Sequence, residues 1–131
     1  MQVAQGCREL LIGAFSNIDA VVHRCIELQG KVVVLCAGRN NKINIEDLLF
    51  AGALAQKLSA KTEVVFNSDA VNIAIELWNE AKNDLTEYIK KTEHYHRLIA
   101  NGLEEDAKFC LQLNTAPLVP KYNSDGKIRI N

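Results

Sequence analysis

No apolar run in this chain approaches the roughly 20 residues that cross a bilayer, so no membrane-spanning segment is expected. No charge of one sign predominates: 15 Lys and Arg are interspersed with 16 Asp and Glu, for a net charge of −1. Nucleic-acid binding needs a clustered basic face to neutralise phosphates, and neither that face nor a charged tail is present. The four cysteines, Cys7, Cys25, Cys36 and Cys110, form no C-x-x-C pair and lack the close spacing of small secreted scaffolds. Reduced thiols and a cytoplasmic location are the expectation. No charged-then-apolar leader pattern opens the sequence. P-loop, G-x-G-x-x-G and G-x-S-x-G motifs are missing too, and so are internal repeats.

What is present is 48% hydrophobic and 24% charged over 131 residues, which fits one domain. A βαβ unit comes first. L-L-I-G-A-F at 10–15 reads as a buried strand, and Ser16 or Asn17 is placed to cap a helix reaching Gln29. Its apolar positions Ile18, Val21, Val22, Cys25 and Ile26 follow the helical period. Gly30 ends it, and residues 31–37, with V-V-V-L at 32–35, form the second strand. Two buried strands joined by a crossover helix are parallel and right-handed. The expected fold is α/β: a parallel-sheet βαβ core covered by helices, with a C-terminal β-hairpin. Residues 15–17 and 36–39 would then sit side by side at the carboxyl edge of the sheet, where open α/β proteins bind ligands.

The covering helices follow. Residues 45–58 are apolar almost all round and carry Ala51, Gly52, Ala53 and Ala55, which predicts a buried helix packed closely on a neighbour. Ser68 and Asp69 start an amphipathic helix with Ala74, Leu77, Trp78 and Ala81 on one face. Residues 84–100 keep the helical period, with Glu87–Lys91 and Glu93–Arg97 at the favourable i, i+4 spacing. After Asn101-Gly102, residues 103–113 form a last helix with Glu104, Glu105 and Asp106 in its first turn. Strands at 118–122 and 127–130 flank the turn N-S-D-G at 123–126. Gly6 reads as the C-cap glycine of a helix's last turn, so the chain is expected to begin inside an element.

Residues 31–52 carry the candidate chemistry. A buried strand that ends in the turn Cys36-Ala-Gly38-Arg39 and leads to a helix N-terminus offers backbone N–H groups to an anion. Arg39 adds a donor fork suited to a tetrahedral oxyanion, and Glu46 and Asp47 are hard ligands suited to a divalent cation. Each has a plainer reading. Asn44 with Asp47 at the third helical position approximates a capping box, and Arg39 serves equally as a surface residue. Cys36 lacks the arginine six residues on that a cysteine phosphatase places there, since Lys42 holds that position, and reads as a small strand residue. His94 and His96 are two apart, so they point to different helix faces, and no zinc partners lie near them.

The blocks L-L-I-G-A-F-S-N-I-D-A-V (10–21), V-V-V-L-C-A-G-R (32–39), I-N-I-E-D-L-L-F-A-G-A (43–53), S-D-A (68–70), H-R-L-I-A-N-G-L-E-E-D-A-K-F-C-L-Q-L-N (96–114) and L-V-P (118–120) resemble, in order and spacing, the 2-phosphosulfolactate phosphatase family. The resemblance implies a magnesium-dependent acid phosphatase of α/β architecture, a hydrolase that converts 2-phosphosulfolactate to sulfolactate in coenzyme M biosynthesis. It implies Arg39 and Asp47 as catalytic residues and Asn17, Gly38 and Arg39 around the phosphate. Glu46 and Asp47 are the implied Mg2+ ligands, with Cys36, His94 and Asp106 as further candidates. Either His94 or His96 stands where the family shows a histidine followed by glycine. The family's N-terminal portion, with an aspartate- and arginine-bearing segment and an N-G-T turn, has no counterpart here. Residues 1–131 are therefore expected to form a single domain matching roughly the C-terminal half to three-fifths of the pattern, with little activity alone. The expected partners are a small phosphorylated acid and a second copy in a homodimer, formed through surface the missing portion would cover. The alternative is a non-catalytic α/β domain that binds an anion or a partner subunit at the same sheet edge.

Overall fold

The computed structural model describes Ala4 and residues 6–130. Gly6 has the positive φ of a C-cap glycine, 91°, but the helix expected to precede it falls on residues of which only Ala4 is described. The helices follow the apolar periodicity. α1 (Ile18–Leu28) ends at Gln29 in the left-handed conformation, and α2 (Ile45–Ser59) and α3 (Asp69–Ala81) follow. Ser68 caps α3 as expected, its Oγ accepting from the Ala70 N–H at 3.2 Å.

The core sits between these three helices. Ile18 and Val22 from α1 and Leu49 from α2 are its largest fully buried side chains. The Phe15 ring stacks on Trp78 at 5.9 Å and meets the edge of Phe50 at 5.8 Å. α2 and α3 approach most tightly at Gly52, where an added Cβ would lie 2.0 Å from the Ala74 carbonyl oxygen. The small residues at 51–55 therefore do what their run implied: they let two backbones nearly touch.

Residues 84–100 form two helices instead of the expected one, α4 (Leu85–Ile89) and α5 (Glu93–Ala100). The buried Thr92 hydroxyl makes the break, donating to the Ile89 carbonyl at 2.8 Å and accepting from the Tyr95 N–H at 3.2 Å. The charge pairs change with it. Glu87 pairs with Lys90 at 2.6 Å, Lys91 lies over the Tyr88 ring, and Glu93 faces Lys42 at 3.6 Å. Arg97 is left free to turn elsewhere. α6 (Glu104–Cys110) is the last helix.

The sheet differs most from expectation. β1 (Leu10–Leu11), β2 (Pro120–Tyr122) and β3 (Ile128–Ile130) form an antiparallel sheet in that order, with the C-terminal hairpin present as β2 and β3. The parallel βαβ core is not found among the described residues. The first strand stops at Leu11, and Phe15–Asn17 coil into a 3-10 turn. Residues 31–37 form neither helix nor strand and have no ladder partner, and Val33 is 65% exposed. A strand exists only where a neighbour takes its N–H and C=O groups, and here the hairpin is the neighbour that β1 finds.

Glu9 ties this sheet to α1. Its carboxylate accepts from Arg24 at 2.7 and 3.1 Å and from Lys121 at 3.1 Å. The Arg24 hydrogen bond, aided by Lys121, holds the Glu9 carboxyl below its ordinary range. A carboxyl lowered on folding adds stability that is complete above the unfolded pKa, about 4, and vanishes as the pH falls through the folded one. Melting curves against pH are expected to show Glu9→Gln less stable at pH 7 and indistinguishable from the parent near pH 2. No helix among the described residues is long and apolar enough to cross a membrane.

Candidate functional site

The segment before α2 folds on itself through Asn40 and Asn41, at φ 49° and 60°. Two consecutive left-handed residues make a type I′ turn, and asparagine tolerates that conformation. The Arg39 N–H donates to the Lys42 carbonyl at 3.0 Å and the Lys42 N–H to the Arg39 carbonyl at 2.8 Å. Gly38 precedes them at φ 61°, with a would-be Cβ 2.7 Å from the Lys42 oxygen, so only glycine fits. Its N–H donates to Asp47 Oδ2 at 2.7 Å.

Two expectations change here. Asn44 makes no side-chain cap on α2, and Asp47, instead of closing a capping box, reaches back to hold the turn against the helix. The amides of Gly38 and Arg39 are both bonded inside the chain. The turn therefore presents a side chain, Arg39, and not a row of free N–H groups.

Arg39, Lys42 and Glu46 on this side, and Thr92, His94 and Arg97 on the other, line one cleft of about 360 Å³. His94 Nε2 lies 3.3 Å from Glu46 Oε1, and the Arg97 guanidinium contacts His94 Nδ1. A guanidinium only donates, so Nδ1 accepts and a neutral His94 carries its proton on Nε2, toward Glu46. Cationic forks, a carboxylate and an imidazole thus meet at one opening. Arg97 was not singled out by the sequence, where it read as a partner for Glu93. The overlooked signal was Thr92-Glu93, an N-cap followed by an acidic first turn.

The other candidates lie elsewhere. Asn17 is buried, and its amide is engaged in structure: Oδ1 accepts from the Ala14 N–H at 2.8 Å, and Nδ2 donates to the carbonyls of Ile12 at 3.1 Å and Leu118 at 2.9 Å. Residues 114–116 cover the same tip. The Asn114 N–H donates to the Phe15 carbonyl, the Ala116 N–H to that of Ser16, and Asn114 Oδ1 accepts from the Asp19 N–H to cap α1. Phe15–Asn17 thus do not line the cleft with Arg39. Partial desolvation by neighbouring protein raises the exposed Cys36 thiol above its ordinary range, and the Asp47 charge adds to it, which disfavours a thiolate. Asp106 lines an adjoining, largely apolar hollow of about 210 Å³ that shares Glu46 and His94. His96 is exposed and lines neither.

Among the described residues no three His, Cys, Asp or Glu side chains gather closely enough to enclose a metal ion. Among the described residues, Glu46 and Glu93 give the cleft its carboxylates, and Glu46 is the one beside His94. That donor set is a poor fit to an ion needing an all-protein cage. It suits magnesium, which takes one or two carboxylates and keeps water and phosphate oxygens for the rest.

The fold and cleft define a mixed helix-and-strand chain with an arginine-flanked carboxylate and histidine. Residues 1–125 match the family described as 2-phosphosulpholactate phosphatase, and the chain belongs to that family. A protein of Caldanaerobacter subterraneus subsp. tengcongensis named probable 2-phosphosulfolactate phosphatase is 34% identical over 117 residues, 88% of this chain and 48% of the relative. One of the same name from Clostridium kluyveri is 32% identical over 124 residues, 95% of this chain and 50% of the relative. The chain spans about half the length of the curated relatives it matches.

Proposed function

We propose that this chain forms part of a magnesium-dependent phosphatase acting on a small phosphorylated acid of the 2-phosphosulfolactate kind. The observation that carries the reading is the meeting of Arg39, Arg97, His94 and Glu46 at one cleft, in a chain of this family. Hydrolysis of a phosphomonoester forms a bond from a water oxygen to phosphorus and breaks the ester P–O bond. The alcohol oxygen leaves with a proton. The protein contributes mainly position and charge. Arg39 and Arg97 neutralise the phosphate oxygens, and Arg97 also fixes the tautomer of His94. His94 and Glu46, 3.3 Å apart, exchange protons with the leaving oxygen or the attacking water.

Bound at Glu46, magnesium would supply further positive charge and acidify a coordinated water. Asp47 would join it only through the oxygen that Gly38 leaves free, so its first role is to hold the turn that carries Arg39. Asn17 and Gly38 serve structure. In the complete protein, residues 31–37 take the parallel-strand position that the βαβ pattern implies.

The test is a magnesium-dependent assay with 2-phosphosulfolactate on this chain extended by the portion of the family pattern it does not span. Arg97→Met and Glu46→Gln are each expected to lower kcat/KM about a hundredfold with little change in melting temperature. Retained activity in both overturns the assignment. Asp47→Asn keeps an acceptor for the Gly38 N–H and should leave activity within a few-fold, whereas Asp47→Ala frees the turn and weakens phosphate binding through Arg39. Equal losses in both would instead make Asp47 a metal ligand. This chain alone is expected to turn over p-nitrophenyl phosphate hardly at all, and robust turnover by it would refute incompleteness.

A further inference from the structure

Residues 31–37 and 63–67 share an unusual state. Neither forms helix or strand, and among the described residues their backbone N–H and C=O groups make no hydrogen bond to another part of the chain. Both are rich in β-prone apolar residues, V-V-V-L at 32–35 and V-V-F at 64–66. Val33, Val34 and Leu35, which would alternate between the two faces of a strand, are 65%, 39% and 55% exposed, and Val65 in the second segment is 82% exposed. An isolated exposed valine needs no explanation. Two exposed β-prone apolar runs that lack ladders are what strands of an interior sheet become when their neighbours are withheld.

We propose that residues 31–37 and 63–67 are two strands of a single sheet, and that the sheet is completed by the half of the family fold that this chain does not span. The inference rests on reading the chain as one half of a larger fold, and not on the phosphatase chemistry. Three observations point to that occupant. α2, 15 residues long, connects the two segments, and a helix of that length is the crossover that returns a parallel strand to the same sheet. A parallel sheet is covered on both faces, which requires more layers than this chain contains. The relatives supply the material, since the match covers only 48% and 50% of their length. The first segment leads directly into Gly38, so the completed sheet would also hold the Arg39 turn from below.

The experiment is hydrogen exchange read by mass spectrometry on this chain alone and on this chain joined to the half of the Caldanaerobacter relative that the match leaves out. The amides of 31–37 and 63–67 are expected to exchange at least about tenfold more slowly in the joined protein. Val33→Lys and Val65→Lys should shift the melting temperature of the chain alone by no more than about 2 °C, yet lower that of the joined protein by about 5 °C or more. Free exchange of these amides in the joined protein, or equal lysine effects in both forms, overturns the inference. Slow exchange already present in the chain alone, with a dimer mass by light scattering, overturns it in favour of a second copy. Exchange on the whole Caldanaerobacter relative, at the matching positions, repeats the test without a chimera: protection there supports the inference and its absence overturns it. A joined protein that protects both segments but does not hydrolyse 2-phosphosulfolactate sustains the inference and defeats only the activity proposal.

Discussion

Gly52→Ala is expected to lower the melting temperature by about 10 °C or more, corresponding to roughly 3 kcal/mol of stability. The added Cβ would lie 2.0 Å from the Ala74 carbonyl oxygen and 2.9 Å from the Trp78 Cβ. Neither neighbour is the tip of a flexible side chain, so α2 and α3 must separate along their whole contact. Trp78 on α3, stacked on Phe15, and the buried Leu49 on α2 would shift with them. Gly13→Ala is the control, because the atoms nearest its Cβ would be those of the half-buried Phe50 ring, and a side chain can yield. Thermal melts of the two variants should rank them clearly, and equal losses would show that the helix crossing is not the tight point.

Asn17→Leu is the second large loss, about 3 kcal/mol, read as a shift in denaturant midpoint at constant slope. Leucine keeps the volume but removes all three side-chain hydrogen bonds, leaving the Ala14 N–H and the carbonyls of Ile12 and Leu118 without partners. Unpaired backbone groups at a site this enclosed carry their full desolvation penalty. The outcome also separates two roles. A phosphate-binding Asn17 would lose ligand affinity with stability intact, whereas the structural Asn17 loses stability first.

The helices were legible because an amphipathic helix satisfies its own backbone and needs only a stripe of apolar side chains to be recognised. α1, α2 and α3 sit where Val21, Leu49 and Trp78 fall on the helical period. Small interruptions escaped notice. Thr92 splits a continuous period because its hydroxyl bonds two turns at once, and that split carries His94 and Arg97 to the cleft. Asp47 was readable as a residue type suited to a cap or a metal, but its bond to Gly38 depends on a turn whose path only the folded chain defines.

Local order set the main helices, the I′ turn at Asn40-Asn41 and the family to which the chain belongs, since each depends on neighbours in sequence or on the order of blocks along it. Tertiary structure decided which strands pair and which carboxylate meets the cleft histidine. A strand's hydrogen bonds and a site's charges come from residues far apart in sequence: β1 pairs with residues more than a hundred positions away, and Glu46 meets His94 across the space between α2 and α5. No periodicity records those distances.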